Sequence, residues 1–402
     1  MSFDMRVGII TYWTSSDNYG QQLQAYALQA VLKKIGHNPF LVRFVESTRQ
    51  PLLERILRFV GSPRSIIYRL SSKGRHEARE ARKKSHLAAL WQEKNKERQF
   101  GAFQERWLSV SPTVYHTIGE LRENAPAADM YIAGSDQIWG RPLQEPSSAV
   151  CFLDFGSRAT RRISYAASIG RQLEETEKPM FQRYLRHLDA VSVREVSAQE
   201  QCHEAGVWAQ VTLDPTLLLR KDDYHQIRSE CPGEKGCPYA FLYFVNVKSP
   251  EEIYWGQTDE YLRSKGLAPR IVMGSGYLTG REVIENHKSI FATIPQWLNM
   301  IANAECVFTT SYHGVIFSII MHRPFIVFKL IEGRYRGNDR LSTLLGSIGL
   351  TGRIFNPALS IEEQMAAPIC WETVDSLLAR QREESMDYLM KNLQDRNETD
   401  TV

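Results

Sequence analysis

The sequence has little cysteine and no long hydrophobic run. Its six cysteines are scattered over 402 residues without a CxxC pair, so we expect reduced thiols, no disulfide framework and no metal site. No uninterrupted apolar stretch approaches the roughly 18 residues of a membrane-spanning helix. The opening MSFDMRVGIITYW predicts a first strand, because its apolar run is too short for a secretory signal. These absences predict a cytoplasmic globular protein.

Charge is nearly balanced overall but unevenly distributed. The net charge is +3, so we expect no nucleic-acid partner. Residues 51–110 contain 14 Lys and Arg against 6 Glu, a local excess of +8. In this segment, apolar clusters such as LLERILRFV alternate with basic runs. Two interpretations stay open, a solvated helical insertion and a basic amphipathic surface that contacts anionic lipid at the inner membrane or a phosphorylated acceptor.

Strand and helix patterns alternate along the chain. RVGIITY, QQLQAYALQAVLKKIG and NPFLVRF predict a strand, a helix and a second strand, which is typical of a parallel sheet. A polar stretch with Gly and Pro, KDDYHQIRSECPGEKGCP, then suits a linker, and YAFLYFV begins a second alternation. We predict an α/β fold of two Rossmann-like domains facing across a cleft. The first is 1–220, with the basic helical insertion 51–110, and the second is 236–402, ending in a long helix.

Candidate functional residues follow the predicted strands. In parallel sheets, the loops after the carboxyl ends of the strands bind ligands. This rule places Asn18, Tyr19 and Gly20 at the edge of a site. It also singles out His313 in TTSYHGVIFSI, a titratable ring in the turn between a buried strand and a buried helix. A histidine there can act as an acid or a base near neutral pH, or it can cap the helix.

Six motifs occur in a characteristic order. They are NYGQQLQAYALQ (18–29), GSDQIW (134–139), YAASIG (165–170), SVRE (192–195), LDPTLLL (213–219) and TSYHG (310–314). Each is weak alone, but the ordered set resembles the polysaccharide pyruvyl transferase family over about 15–350. The resemblance implies a fold similar to the GT-B glycosyltransferases. It also implies transfer of a pyruvyl group from phosphoenolpyruvate, the donor substrate, to a sugar, which forms a cyclic ketal without a further cofactor. The implied acceptors are bacterial surface glycans or their lipid-linked precursors.

The resemblance also implies roles for particular residues. The family's histidine before a glycine corresponds to His313, followed by Gly314, and its arginine at a strand end corresponds to Arg194. Many members carry an arginine two residues before the histidine, where this chain has Ser311. One cation of the donor site is then missing or comes from elsewhere, with Arg323, Arg336 and Arg340 as candidates.

For the remaining candidates, a functional and a structural role both stay open. Asp136 could orient a sugar hydroxyl or act as a base, or it could shape a turn, and its neighbours Ser135 and Gln137 are weaker candidates. Glu195 could position Arg194 through an ion pair. Asn18, Tyr19 and Gly20 could contact the acceptor, and Ser168 could line the cleft. Asp214, before Pro215, is interpreted mainly as a turn former.

Three functions remain in competition at this stage. The first is the pyruvyl transferase, with His313 and Asp136 as its catalytic residues. The second is a GT-B-type glycosyltransferase that uses a nucleotide sugar, for which the serine at position 311 leaves room. The third is a catalytically silent glycan-binding or scaffold protein.

Overall fold

The computed structural model describes residues 4–46, 89–231, 236–274, 284, 287–330 and 338–394. Most of the basic segment, residues 51–88, lies outside this part of the chain, so the helical insertion stays a prediction. Elements are numbered below in chain order within the described residues.

The first half forms a parallel sheet of five strands, in the order β3-β2-β1-β4-β5. Its strands are β1 (Arg6–Ile10), β2 (Asn38–Phe44), β3 (Val110–Tyr115), β4 (Met130–Ala133) and β5 (Arg161–Ser164). Two short parallel strands, β6 (Ser192–Val193) and β7 (Gln210–Val211), continue beside β5 through isolated bridges. The resulting strand order matches that of doubly wound dinucleotide-binding folds.

The second half forms a parallel sheet of four strands, in the order β11-β10-β8-β9. Its strands are β8 (Tyr239–Phe244), β9 (Ala268–Met273), β10 (Cys306–Thr309) and β11 (Phe325–Val327). Every residue of β8 and β10 is buried, as expected for parallel strands covered on both faces. The predicted α/β fold with two Rossmann-like sheets is confirmed.

Helices cover both sheets. The first half contains α1 (Tyr19–Lys34), α2 (Phe100–Trp107), α3 (Ile118–Glu123), α4 (Pro146–Cys151), α5 (Lys178–Leu185), α6 (Val196–Glu204), α7 (Pro215–Leu218) and α8 (His225–Ser229). The second contains α9 (Trp255–Ser264), α10 (Ile294–Asn303), α11 (Tyr312–Ile320), α12 (Asn338–Ser347), α13 (Ile361–Ala366) and α14 (Trp371–Leu393). Short 3₁₀ helices occur at Lys96–Arg98, Lys221–Tyr224, Pro250–Ile253 and Thr351–Arg353.

The first helix begins two residues before the predicted QQLQAYALQAVLKKIG, at Tyr19. The side chain of Asn18 accepts a hydrogen bond from the backbone N–H of Gln21, which caps the helix N-terminus. Gly36, just beyond the last turn, adopts a φ of 91°, which glycine tolerates at a helix end. The apolar face of the helix between these caps is buried in the core.

The two halves share one hydrophobic core. Tyr19 at the start of α1 stacks on Trp297 of α10 with ring centroids 5.2 Å apart, and its hydroxyl donates to the carbonyl of Ala292. The last helix, α14, returns to the first sheet, where Tyr388 donates a hydrogen bond to the carbonyl of Ser164 in β5. These contacts hold the carboxyl edges of the two sheets close together.

Candidate active site

The site forms where the strand order of each sheet reverses. These switch points lie between β1 and β4 in the first sheet and between β8 and β10 in the second. Ligands of open α/β sheets bind beyond the strand ends at such points. The loop after β1 leads to Gly20 in the first turn of α1, and the loop after β10 leads to His313 in the first turn of α11.

A short helix holds His313 in place. Ser311 caps α11 with a hydroxyl that accepts from the backbone N–H of Gly314 at 3.3 Å. The imidazole is 6% exposed. Gly20 makes room for the ring, since a Cβ at position 20 would lie 2.0 Å from His313 Nδ1. The ring therefore packs directly on the backbone of the first turn of α1, which no other residue type at position 20 would allow.

A fully buried ion pair lies next to the histidine. Arg194 follows β6 and Asp214 follows β7, and the Arg194 Nη1–Asp214 Oδ2 distance is 2.6 Å. Both side chains are 0% exposed. The second Asp214 oxygen accepts from the backbone N–H of Thr216 at 3.0 Å and from its hydroxyl at 2.6 Å. Ser135 donates its hydroxyl to Asp214 Oδ2 at 3.2 Å.

This ion pair connects the two predicted catalytic residues. His313 Nε2 lies 3.5 Å from Asp214 Oδ2, and Arg194 Nη2 lies 3.6 Å from Asp136 Oδ1. Burial alone would raise the pKa of Asp214. The nearby His313 ring, the charge of Arg194 and the hydrogen bonds from Thr216 outweigh burial and hold the pKa of Asp214 well below its usual range. Asp214 is therefore ionised at neutral pH, although it is wholly buried.

Several polar atoms of this cluster have no hydrogen-bond partner among the described residues. They are His313 Nε2, Arg194 Nε and Nη2, and the second carboxylate oxygen of Glu195. A buried polar atom without a partner costs about 1–3 kcal/mol, so such groups are rare in folded proteins. Their concentration at the edge shared by the two sheets points to a polar ligand there.

Tyr312 lies close to two arginines. The guanidinium carbon of Arg194 is 4.8 Å from the centre of its ring and that of Arg340 is 5.3 Å away. Burial raises the pKa of the Tyr312 hydroxyl, which stays protonated at neutral pH. Of the three arginines proposed to replace the cation missing at position 311, Arg340 is thus brought next to the cluster. Arg323 instead donates to the carbonyl of Ala304, and Arg336 lies outside the described residues.

One predicted contact is wrong. Glu195 does not pair with Arg194, which binds Asp214 instead. The Oε1 atom of Glu195 accepts from the hydroxyl of Ser168 and from the backbone N–H groups of Ile169 and Gly170. Glu195 and Ser168 thus fix the turn after β5, because a buried carboxylate needs donors and this turn supplies three.

Other residues predicted to bind substrate are used to pack the core, to cap helices or to form turns. Tyr19 is 0% exposed in the shared core, and Asn18 and Ser311 cap helices. A Cβ at Gly314 would lie 2.3 Å from the hydroxyl of Thr309, so this glycine accommodates a neighbouring side chain. The half-buried Gln137 continues the turn that begins with Ser135 and Asp136.

Asp214 is the residue whose role sequence reasoning underestimated. It does form the predicted turn, since its side chain caps α7. It also carries the charge that joins Arg194 to His313. The sequence did contain a signal for this role, because Asp214 in LDPTLLL and Arg194 in SVRE each follow a predicted strand.

Two general properties concern the described residues as a whole. They contain no group of three or more His, Cys, Asp or Glu side chains arranged to hold a metal ion. No described helix combines the length and the apolar character that crossing a membrane requires.

A buried guanidinium, a histidine and two carboxylates can hold an anion and move protons beside it, which is the chemistry of a group-transfer enzyme. A family model described as polysaccharide pyruvyl transferase matches residues 18–330, most of the chain. The chain belongs to the polysaccharide pyruvyl transferase family and is a transferase. Among curated proteins, none matches it significantly.

Solved structures with a similar arrangement include nucleotide-sugar enzymes. A putative UDP-N-acetylglucosamine 2-epimerase from Listeria monocytogenes is 14% identical, with 96% of this chain and 90% of that chain covered and a TM-score of 0.42. A UDP-GlcNAc 2-epimerase from Neisseria meningitidis is 8% identical, with coverages of 96% and 99% and a TM-score of 0.44. A glycosyltransferase from Rickettsia africae is 10% identical, with coverages of 97% and 98% and a TM-score of 0.40. At these values the likeness says nothing about the substrate of this chain.

Proposed function

We propose that this protein transfers a pyruvyl group from phosphoenolpyruvate to a sugar of a bacterial surface polysaccharide or its lipid-linked precursor, forming a cyclic ketal. The observation that carries the proposal is the buried cluster of His313, Arg194 and Asp214, with unpartnered polar atoms beside Asp136. Family membership supports a glycan as the acceptor.

The donor presents a carboxylate and a phosphate, and planar oxyanions suit the fork of an arginine. Arg194 uses Nη1 for Asp214, while its Nε and Nη2 have no hydrogen-bond partner among the described residues. These two N–H groups are proposed to bind one end of phosphoenolpyruvate. The ion pair with Asp214 fixes the guanidinium, so little conformational entropy is lost on binding.

The charge balance of the cluster calls for a further cation. Arg194 lies close to two carboxylates, Asp214 and Asp136, so the three side chains together carry a net charge of −1. A phosphate bound there needs additional positive charge. Arg340, whose guanidinium carbon is 5.3 Å from the centre of the Tyr312 ring, is proposed to supply it, together with a proton on His313.

The chemistry requires three proton movements. One sugar hydroxyl adds to the central carbon of phosphoenolpyruvate and loses its proton, while the methylene carbon gains one. A second hydroxyl of the same sugar then displaces phosphate and loses its proton, which closes the ketal. His313 is proposed to exchange protons with the donor or the acceptor, because Asp214 lies 3.5 Å from its Nε2 and stabilises the charged ring. Asp136 is proposed to orient or deprotonate a hydroxyl.

We also propose that the protein acts at the cytoplasmic face of the membrane. A lipid-linked acceptor would require the enzyme to work in the cytoplasm at the membrane face. The +8 excess of residues 51–110 supports such peripheral contact, since anionic lipid attracts basic segments by about 1 kcal/mol per residue near the surface. In liposome co-sedimentation, binding should require anionic lipid and decrease with salt. Equal recovery on neutral vesicles would contradict it.

A thermal-shift screen tests the donor. At 100 times its dissociation constant, a ligand stabilises the native state by about 2.7 kcal/mol. We expect phosphoenolpyruvate to raise the melting temperature of the protein and the Arg194→Lys variant to reduce this rise. Stabilisation by a nucleotide sugar and not by phosphoenolpyruvate would favour a glycosyltransferase instead. If no donor stabilises the protein, the silent glycan-binding role gains support.

A further inference from the structure

A cavity lies at the ends of α7 and α11 that are remote from the cluster. Its volume is about 450 Å³, within the range of roughly 300–1,000 Å³ that is typical of small-molecule sites. His313 lies in the first turn of α11, and the cavity contacts Ile319 and Ile320 in the last turn. With a rise of about 1.5 Å per residue, the two regions are about 9 Å apart along the helix. The cavity is therefore separate from the catalytic cluster.

Positive charge dominates the residues around this cavity. Arg220, Lys221 and Arg382 line it, and Asp375 is the one carboxylate among the lining residues, so the excess is two positive charges when His322 is neutral. Asp375 is already engaged, with its Oδ1 atom 3.1 Å from His322 Nε2. None of the three cations forms an ion pair with a described residue, and the neighbouring Asp223 pairs with Lys34.

The cations are held near each other despite their like charge. The Nε of Arg382 donates to the carbonyl of Leu217 in α7 at 2.5 Å, which fixes the guanidinium at this end of the helix. Burial lowers the pKa of Arg382, and the charge of Arg220 lowers it further, while Asp375, Tyr224 and Asp223 act in the opposite direction. Asp375 carries one negative charge against the three cations of the cavity, so an anion bound beside the half-buried guanidinium of Arg382 would compensate the remaining charge.

The cavity also has an apolar part, its aliphatic wall. It consists of Ile319 and Ile320 from α11 and Leu378 and Ala379 from α14. We propose that this cavity binds a phosphate or diphosphate group that carries an apolar substituent. The cations would bind the phosphoryl oxygens, and the substituent would lie along the aliphatic wall. Because Arg220 and Lys221 belong to the first half of the chain while α11 belongs to the second, the ligand would bridge the two halves.

Calorimetric titration with inorganic pyrophosphate tests the proposal directly. We expect binding to the unmodified protein, at least tenfold weaker binding to the Arg220→Gln/Lys221→Gln double variant and a similar loss in Arg382→Gln. The matched control is Arg263→Gln on α9, outside this cavity and the catalytic cluster, where the side chain is 79% exposed and lies 2.6 Å from Asp259. Its affinity should not change. Absence of binding, or equal affinity in all four proteins, would overturn the proposal.

Melting temperatures and a titration with a second ligand complete the test. Arg220 and Lys221 are exposed, so the double variant should keep its melting temperature even if Arg382→Gln does not. Titration with farnesyl diphosphate then distinguishes the sources of the ligand. Tighter binding than that of pyrophosphate would support a diphosphate on a lipid chain, whereas equal binding would overturn the apolar substituent and leave only a site for free phosphate or diphosphate. Because the readout is binding, the outcome is independent of whether the pyruvyl transfer proposed above occurs.

Discussion

Replacing Asp214 by asparagine removes the charge that connects the candidate active site. The substitution keeps an oxygen that can accept from Thr216, so the turn before α7 should survive. It leaves Arg194 without its 2.6 Å partner and His313 without a neighbouring negative charge. We expect turnover to fall together with stability, because both the donor-binding arginine and the histidine depend on this carboxylate.

The size of the stability loss follows from burial. Removing one partner of a buried ion pair typically destabilises a protein by about 3–5 kcal/mol. Asp136 stays 3.6 Å from Arg194 Nη2 and compensates part of the charge, so we expect about 3 kcal/mol at pH 7. The control is Asp154→Asn, which breaks a partly exposed 2.5 Å pair with Arg122 and should cost about 0.2–1 kcal/mol.

The pH dependence of unfolding gives a second readout. The pKa of Asp214 is lower in the folded than in the unfolded protein, where an aspartate titrates near about 3.9. Its contribution to stability is therefore fully present above that value and is lost as the pH falls below it. In urea denaturation, the difference between the unmodified protein and Asp214→Asn should be largest at neutral pH and shrink below about pH 4. Parallel pH profiles, with a loss no greater than that of Asp154→Asn, would refute this reasoning.

Three further predictions concern individual side chains. Replacing His313 by alanine or glutamine should lower turnover by about 10²–10⁴-fold, the usual contribution of general acid–base catalysis, with little change in melting temperature; recovery by glutamine would mean that the histidine only orients the ligand. Arg194→Lys should raise the Michaelis constant for phosphoenolpyruvate in steady-state assays, because it keeps the charge but loses the fork, and an unchanged constant would assign Arg194 a structural role. Gly20→Ala should lower turnover by displacing the His313 ring, and normal kinetics in this variant would show that the ring position is not critical.

Much of the fold could be predicted from local sequence. The strand β1, the helix α1 and the strand β2 follow from apolar spacing and from the caps Asn18 and Gly36, which act within a few residues. The turn that carries His313 was identifiable because it connects a largely apolar strand to an apolar helix.

The assembly of the site depends on contacts between distant segments, which local patterns do not contain. Arg194 and Asp214 are 20 residues apart and meet because β6 and β7 are neighbours in the sheet. Tyr19 lies after the first strand, where a ligand-binding residue is expected. It packs in the core instead, because Trp297 from the other half stacks on it. The need for glycine at position 20 depends on a ring 293 positions further along the chain.

Mass spectrometry of a glycan acceptor tests the central proposal most directly. The purified protein is incubated with phosphoenolpyruvate and with surface polysaccharide or lipid-linked precursor from cells that lack this gene. We expect a mass increase of one pyruvyl ketal per modified sugar, one phosphate released for each ketal formed, and loss of both in His313→Ala. An acceptor that stays unchanged with phosphoenolpyruvate but gains a sugar from a nucleotide sugar would contradict the proposal.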